Sequence, residues 1–98
     1  MGVIMEKRVE LNNKTYKIIK EHRDGYEQEA VENLFTDYFY EYDYIFGDWA
    51  YSKLRLKGFN KSDNKNVNKI NDIANLDKYI EDNCAYDCRY FLLEKEDE

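Results

Sequence analysis

The chain has 98 residues, 43% apolar, 16% aromatic and 37% charged, with no proline and two cysteines. That length supports one core of modest size, and the aromatic content argues against a disordered chain. The net charge of −6 arises from 15 basic and 21 acidic residues, which disfavours a globally basic nucleic-acid binder, because phosphate neutralisation needs a positive surface.

No run approaches the ~18 consecutive apolar residues of a membrane helix, so no membrane partner is expected. The start Met1-Gly2-Val3-Ile4-Met5-Glu6 meets charge too soon for a secretory signal. Glu6 stands where acylation of Gly2 requires Ser or Thr. Two cysteines are too few for a disulfide-built miniature protein, and a cytosolic location is the default expectation. Neither an internal repeat nor a domain boundary is visible, so residues 1–98 read as one domain with an ordered core over about 9–95.

Residues 8–21 read as a hairpin. Val9 and Leu11 alternate with charge, and Asn12-Asn13-Lys14 supplies turn residues that tolerate positive φ. Thr15-Tyr16-Lys17-Ile18-Ile19-Lys20 is β-branched and aromatic, as strands prefer. Asp24, followed three residues on by Glu27, predicts a capped helix start. Val31, Leu34, Phe35, Tyr38, Phe39 and Tyr42 then recur at helical spacing and predict one helix over about 26–41 with that stripe inward. The aromatic run 38–44 reads either as the end of that helix packing into the core or as an exposed recognition patch.

Residues 44–59 read as two antiparallel strands around a turn at Tyr51 and Ser52. The register sets Trp49 opposite Leu54, Asp48 opposite Arg55, Gly47 opposite Leu56 and Phe46 opposite Lys57. Alternation then sorts the side chains. Ile45, Trp49, Leu54 and Leu56 share one face, expected inward, with Gly47 and Gly58 leaving room for close packing. Tyr44, Phe46, Asp48, Arg55, Lys57 and Phe59 share the other, expected outward. Residues 60–69 lack periodicity and predict a mobile loop, followed by a short edge strand over 69–73. Asn75 is placed to cap a second helix that ends near Asn83 and buries Leu76, Tyr79, Ile80 and Cys84. Arg89-Tyr90-Phe91-Leu92-Leu93 is apolar on both faces and predicts a central strand. The acidic tail Glu94-Lys95-Glu96-Asp97-Glu98 is expected to fray. The order β-β-α-β-β-(β)-α-β gives an α+β domain: a mainly antiparallel sheet with two packed helices.

Several constellations can carry chemistry. Asp48 and Arg55 form either an anion-binding arginine with its orienting carboxylate or an ordinary cross-strand ion pair. Tyr44, Phe46, Arg55, Lys57 and Phe59 interleave rings with cations, which suits a protein interface, single-stranded RNA or burial beneath a helix; Lys53 and Lys61 extend the strip. Cys84 and Cys88 are half of a zinc ligand set. A disulfide between them requires the helix to end first, because thiols one turn apart are poorly placed. Two small, partly buried corner residues are the plainer reading. His22 has neither a Ser-rich elbow nor a Gly-rich phosphate loop and is expected at the surface near Asp24.

The stretch Tyr42-Asp43-Tyr44-Ile45-Phe46-Gly47-Asp48-Trp49-Ala50-Tyr51-Ser52-Lys53-Leu54-Arg55-Leu56-Lys57-Gly58-Phe59 resembles the signature of the YutD-like family. So does Cys84-Ala85-Tyr86-Asp87-Cys88 followed by Tyr90-Phe91-Leu92-Leu93. The resemblance runs from about Val9 to Lys95. It implies a compact α/β domain of the kind found in small cytosolic proteins of low-GC Gram-positive bacteria. It implies no catalytic residues and no cofactor. Ala50 and Ser52 depart from the family's glycines at the turn. The favoured reading is a non-enzymatic binding or adaptor module that contacts a protein partner through Tyr44, Phe46, Asp48, Arg55, Lys57 and Phe59. An RNA-binding module on the same face and a thiol-metal or redox protein using Cys84 and Cys88 are the alternatives.

Overall fold

A computed structural model describes residues 7–84 and 87–96 of the chain. The leader and acylation readings at residues 1–6, the fraying of residues 97–98, and Ala85-Tyr86 of the family-like motif lie outside the described residues. The first hairpin forms as expected, with β1 (Lys7–Leu11) and β2 (Lys14–His22) antiparallel and Leu11 opposite Lys14. Its two-residue turn holds Asn12 at φ 52° and Asn13 at φ 67°, the paired positive values that match strand twist and that asparagine tolerates.

The single helix expected over 26–41 is two pieces. Helix α1 spans Gln28–Leu34, Phe35 and Thr36 are extended, and a 3-10 turn covers Asp37–Glu41. The break is local chemistry: the Thr36 hydroxyl accepts from Tyr38 N and starts the second piece. Val31, Phe35 and Phe39 still reach the core, but Leu34 and Tyr38 are 42% and 64% exposed. The capping box at Asp24 does not form. Arg23 and Asp24 sit at φ 57° and 53°, Glu27 precedes α1 without a side-chain cap, and Glu21 Oε2 accepts from Tyr26 N instead. Arg89 clamps this loop, donating from Nη2 to Asp24 O at 2.8 Å and to Glu27 Oε2 at 2.6 Å.

Strands β3 (Tyr44–Ala50) and β4 (Lys53–Phe59) pair in the expected register. Tyr51 and Ser52 form a two-residue turn with φ 54° and 65°. Strand β5 (Tyr90–Lys95) is central, and every neighbour in the order β1-β2-β5-β3-β4 is antiparallel. The tail is more ordered than its charge suggests: Glu94 and Lys95 belong to β5, and Glu96 N donates to Thr15 O at 3.1 Å.

The edge strand expected over 69–73 is absent; a lone parallel bridge between Asn60 and Asp72 stands in its place. The loop before it is pinned rather than free. Asp43 Oδ2 accepts from Lys61 N and Asn64 Nδ2, both at 2.9 Å, and Asn68 Oδ1 accepts from Ile70 N and Asn71 N. Asparagine side chains here replace a strand ladder. A 3-10 turn (Ile73–Asn75) leads into α2 (Leu76–Asn83). The side-chain cap comes from Asp72, which accepts from Ala74 N at 2.9 Å, rather than from Asn75.

The sheet lies between two layers, and each face carries a core. On one face α1 and the turn after it cover Leu11, Tyr16, Ile45, Phe91 and Leu93. On the other, α2 covers Phe46, Phe59 and Leu92. The hairpin glycines are filled as their spacing implies. A Cβ on Gly47 would fall 2.1 Å from Phe91 Cζ, and one on Gly58 2.3 Å from Tyr42 Cγ.

Candidate functional site

The face of β3 and β4 expected to point outward is the floor of the second core. Phe46 and Phe59 are buried under Leu76 and Tyr79 of α2, with Tyr79 edge-on to both rings. Asp48 is 2% exposed. Tyr44 is half-buried against the same cluster. The expectation that these side chains face solvent is therefore corrected; the apolar stripe of α2 needs a docking surface, and this face supplies it. Of the six residues, Arg55 and Lys57 sit at the rim.

Asp48 and Arg55 do face each other across the strand pair. Arg55 donates from Nε to Asp48 Oδ1 at 3.0 Å and from Nη2 to Asp48 Oδ2 at 2.5 Å. The same Nη2 reaches Asn83 O at 3.1 Å and so ties the last turn of α2 to β4. The hydrogen bonds that Arg55 donates to Asp48 raise the guanidinium pKa above its ordinary value. Lys57 is shifted downward by burial; its ammonium lies 5.0 Å from the Phe59 ring centroid and 5.6 Å from that of Tyr79.

Helix α2 ends at Asn83, and Cys84 is extended at φ −88°, ψ 141°. That exit meets the condition for a bond between cysteines so close in sequence. Cys84 and Cys88 are joined as a disulfide with a Cα–Cα separation of 5.9 Å, inside the usual span. Cys84 Sγ also lies 3.2 Å from Asp48 Oδ2. With the bond closed that sulfur carries no proton, so the contact is a close approach of sulfur to carboxylate.

His22 is the last residue of β2 and has a role that sequence reasoning missed. Its Nε2 lies 2.7 Å from Asp87 Oδ1, and its ring stacks on Tyr90 at 5.2 Å. Arg23 Nη1 donates to Asp87 Oδ2 at 2.9 Å. The His22 hydrogen bond, helped by Arg23, pulls the Asp87 carboxyl below its ordinary range. His22, Cys84, Asp87, Cys88 and Tyr90 line one recess of about 250 Å3. The residues between 22 and 87 give no periodic signal linking the two ends, so only tertiary structure brings them together.

Asp48, Cys84 and Cys88 place three ligand atoms within 4.8 Å of one another. The set does not fit zinc as it stands. Arg55 occupies both carboxylate oxygens, the sulfurs are bonded to each other, and zinc requires thiolates and usually a fourth ligand. Among the described residues, no helix is long and apolar enough to cross a membrane.

Comparison with known proteins follows the same segments. Residues 10–94 match the family described as "Putative antitoxin YutD-like". The chain is 36% identical over 85 residues to "Putative antitoxin YutD" of Bacillus subtilis (strain 168), covering 87% of this chain and 93% of that protein. It is also similar to the solution NMR structure of protein yutD from B. subtilis, with a TM-score of 0.79 and 34% identity over 95% of this chain and 84% of that one.

Proposed function

We propose that this chain, which belongs to the YutD-like family, is a cytosolic, non-enzymatic binding module that engages a protein partner along the β4 side of the 44–59 hairpin. The observation that carries the reading is an open strand edge with cations on it. β4 ends the sheet order, Lys53 and Arg55 are exposed, and Tyr51 at the turn is 99% exposed. Next to this edge lies a groove of about 620 Å3 lined by Lys57, Phe59, Lys69, Ile70, Lys78 and Tyr79. Ile70 is 74% exposed and offers the groove an apolar contact. A free edge accepts an added strand, and Lys57 and Lys69 favour an acidic one, while Lys78 is paired at 3.3 Å with Asp82 of the same groove. The description of the B. subtilis relative as "Putative antitoxin YutD" also fits a protein that works by engaging another protein.

The same cations suit RNA phosphates, but the net charge of −6 opposes that reading. Photo-crosslinkers placed at the exposed Tyr51 and Ile70 in living cells separate the two. Protein adducts that vanish in Lys53→Glu/Lys69→Glu support the module. Nucleic-acid adducts, or protein adducts indifferent to both charge reversals, overturn it. Arg55 is unsuitable as a probe because it also holds Asp48.

A further inference from the structure

The bridge at the end of α2 has surroundings that a purely structural disulfide does not need. It closes a sequence separation of only 4, so it removes less chain entropy than a bridge between distant elements. Helix α2 is already seated on the sheet through Leu76, Tyr79 and Ile80, and Arg55 already ties its last carbonyl. The two sulfurs are also unequal. Cys84 Sγ lies 3.2 Å from a carboxylate that is 2% exposed. Cys88 follows Asp87, whose carboxylate is engaged by His22 at 2.7 Å and Arg23 at 2.9 Å. Both sulfurs line the recess of about 250 Å3, room for a small thiol but not for a folded domain.

We infer that Cys84 and Cys88 are an exchangeable dithiol–disulfide site for low-molecular-weight disulfides and thiols, with Cys88 carrying the mixed disulfide and Cys84 resolving it by passing its proton to Asp48. The chemistry follows from the asymmetry. Asp48 lies within 4.8 Å of both sulfurs and is held by Arg55, but it comes to 3.2 Å of Cys84, so it disfavours charge on that sulfur more than on the other, and the first thiolate forms at Cys88, whose proton goes to water. The Cys88 thiolate attacks one sulfur of the small disulfide. A bond to Cys88 Sγ forms, the small molecule's S–S bond breaks, and one RS⁻ leaves and takes a proton from water. Cys84 Sγ–H then gives its proton to Asp48 Oδ2 as its sulfur attacks Cys88 Sγ. The Cys84–Cys88 bond forms, the bond to R breaks, and the second RS⁻ leaves and takes a proton from water. Asp48 returns its proton to water. The dithiol loses two electrons, and one small disulfide becomes two thiols. Arg55 positions the carboxylate without touching either sulfur. This inference is independent of the partner-binding reading.

The test uses the whole chain, reduced and then exposed to oxidised glutathione, with acid quenching, maleimide blocking and intact mass measured over time. The wild type should pass from two maleimide adducts to none through a transient glutathione adduct. Cys84→Ser should hold a stable glutathione adduct at Cys88, and Cys88→Ser should acquire one about tenfold more slowly. Asp48→Asn, with its fold checked by circular dichroism, should accumulate the mixed disulfide because closure slows on the order of 10²-fold. Two free thiols surviving in the wild type, or equal reaction of the two serine variants, overturns the site. Closure of Asp48→Asn at the wild-type rate overturns the role of Asp48. If Asp48→Asn does not fold, the rate ratio of the serine variants decides alone, since both leave Asp48 and Arg55 intact.

Discussion

Replacing Arg55 by methionine distinguishes two accounts of the Asp48–Arg55 pair. The substitution keeps an unbranched stem on β4 and removes the guanidinium. An exposed cross-strand pair contributes only ~0.2–1 kcal/mol. Breaking a fully buried pair by removing one partner costs ~3–5 kcal/mol, because a charge is left without compensation. The geometry here is lopsided: the Asp48 side chain is 2% exposed and that of Arg55 48%. Burial of the carboxylate puts the cost above the surface range, and water entering where the guanidinium stood keeps it below the buried one, at about 2 kcal/mol. Loss of the bond to Asn83 O, 3.1 Å long, adds about 0.5–1 kcal/mol. A total of about 2.5–3 kcal/mol lowers Tm by roughly 10–20 °C in a domain of this size. Urea unfolding followed by the fluorescence of Trp49, two residues from the turn, measures it directly. Lys53→Met, at the exposed start of the same strand, serves as the control and should change stability by less than about 0.5 kcal/mol. If Arg55→Met costs no more than that control, Asp48 does not depend on its arginine, and the positioning role assigned to Arg55 goes with it.

Legibility followed the range of the forces involved. Hairpin registers are set by turns of two residues and by strict alternation, so Asp48↔Arg55 and Trp49↔Leu54 were readable from neighbours alone. Gly47 and Gly58 announced close approach, and the rings of Phe91 and Tyr42 supply it. The direction of each hairpin face was not readable in the same way. It depends on where α2 docks, which is a long-range event. One clue was present: a strand apolar on both sides, Phe91 and Leu93 against Tyr90 and Leu92, is compatible only with a sheet covered on both faces. The helix break at Thr36 illustrates the opposite failure, in which a single hydroxyl outweighed a six-residue periodic stripe. The asparagine loop defeated pattern reading because its order comes from side-chain amides reaching back to Asp43, with no period to detect. The redox candidate needed both routes. The cysteine spacing was local, whereas the buried carboxylate beside it came from 36 residues away.

Three further outcomes can be measured. Tyr16 is fully buried, and its hydroxyl has no hydrogen-bond partner among the described residues, so Tyr16→Phe should raise stability by about 1 kcal/mol in urea unfolding; a loss of that size would mean the hydroxyl is paired. Gly47→Ala should cost about 1–3 kcal/mol, because the new methyl displaces the buried Phe91 ring, whereas a neutral result would show that the ring has room to move. The third concerns acid. Asp72 is held below 3.8 by the Ser62 hydroxyl and the Ala74 amide. Asp43 is pushed up by burial, but the bonds from Asn64 and Lys61 outweigh that and leave it lowered as well. A carboxylate whose folded value is depressed contributes its stability in full above 3.8 and loses it as pH falls through the folded value. Both carboxylates pin residues 60–74, and Asp43 meets β5 through its backbone carbonyl, which accepts from Lys95 N at 2.9 Å and does not titrate. Hydrogen exchange below about pH 4 should therefore expose the amides of Lys61 and Ala74 while those of Leu92 and Leu93 stay protected. Simultaneous loss of both sets would show that the loop and the sheet open as one unit, and that the aspartate bonds do not govern the loop by themselves.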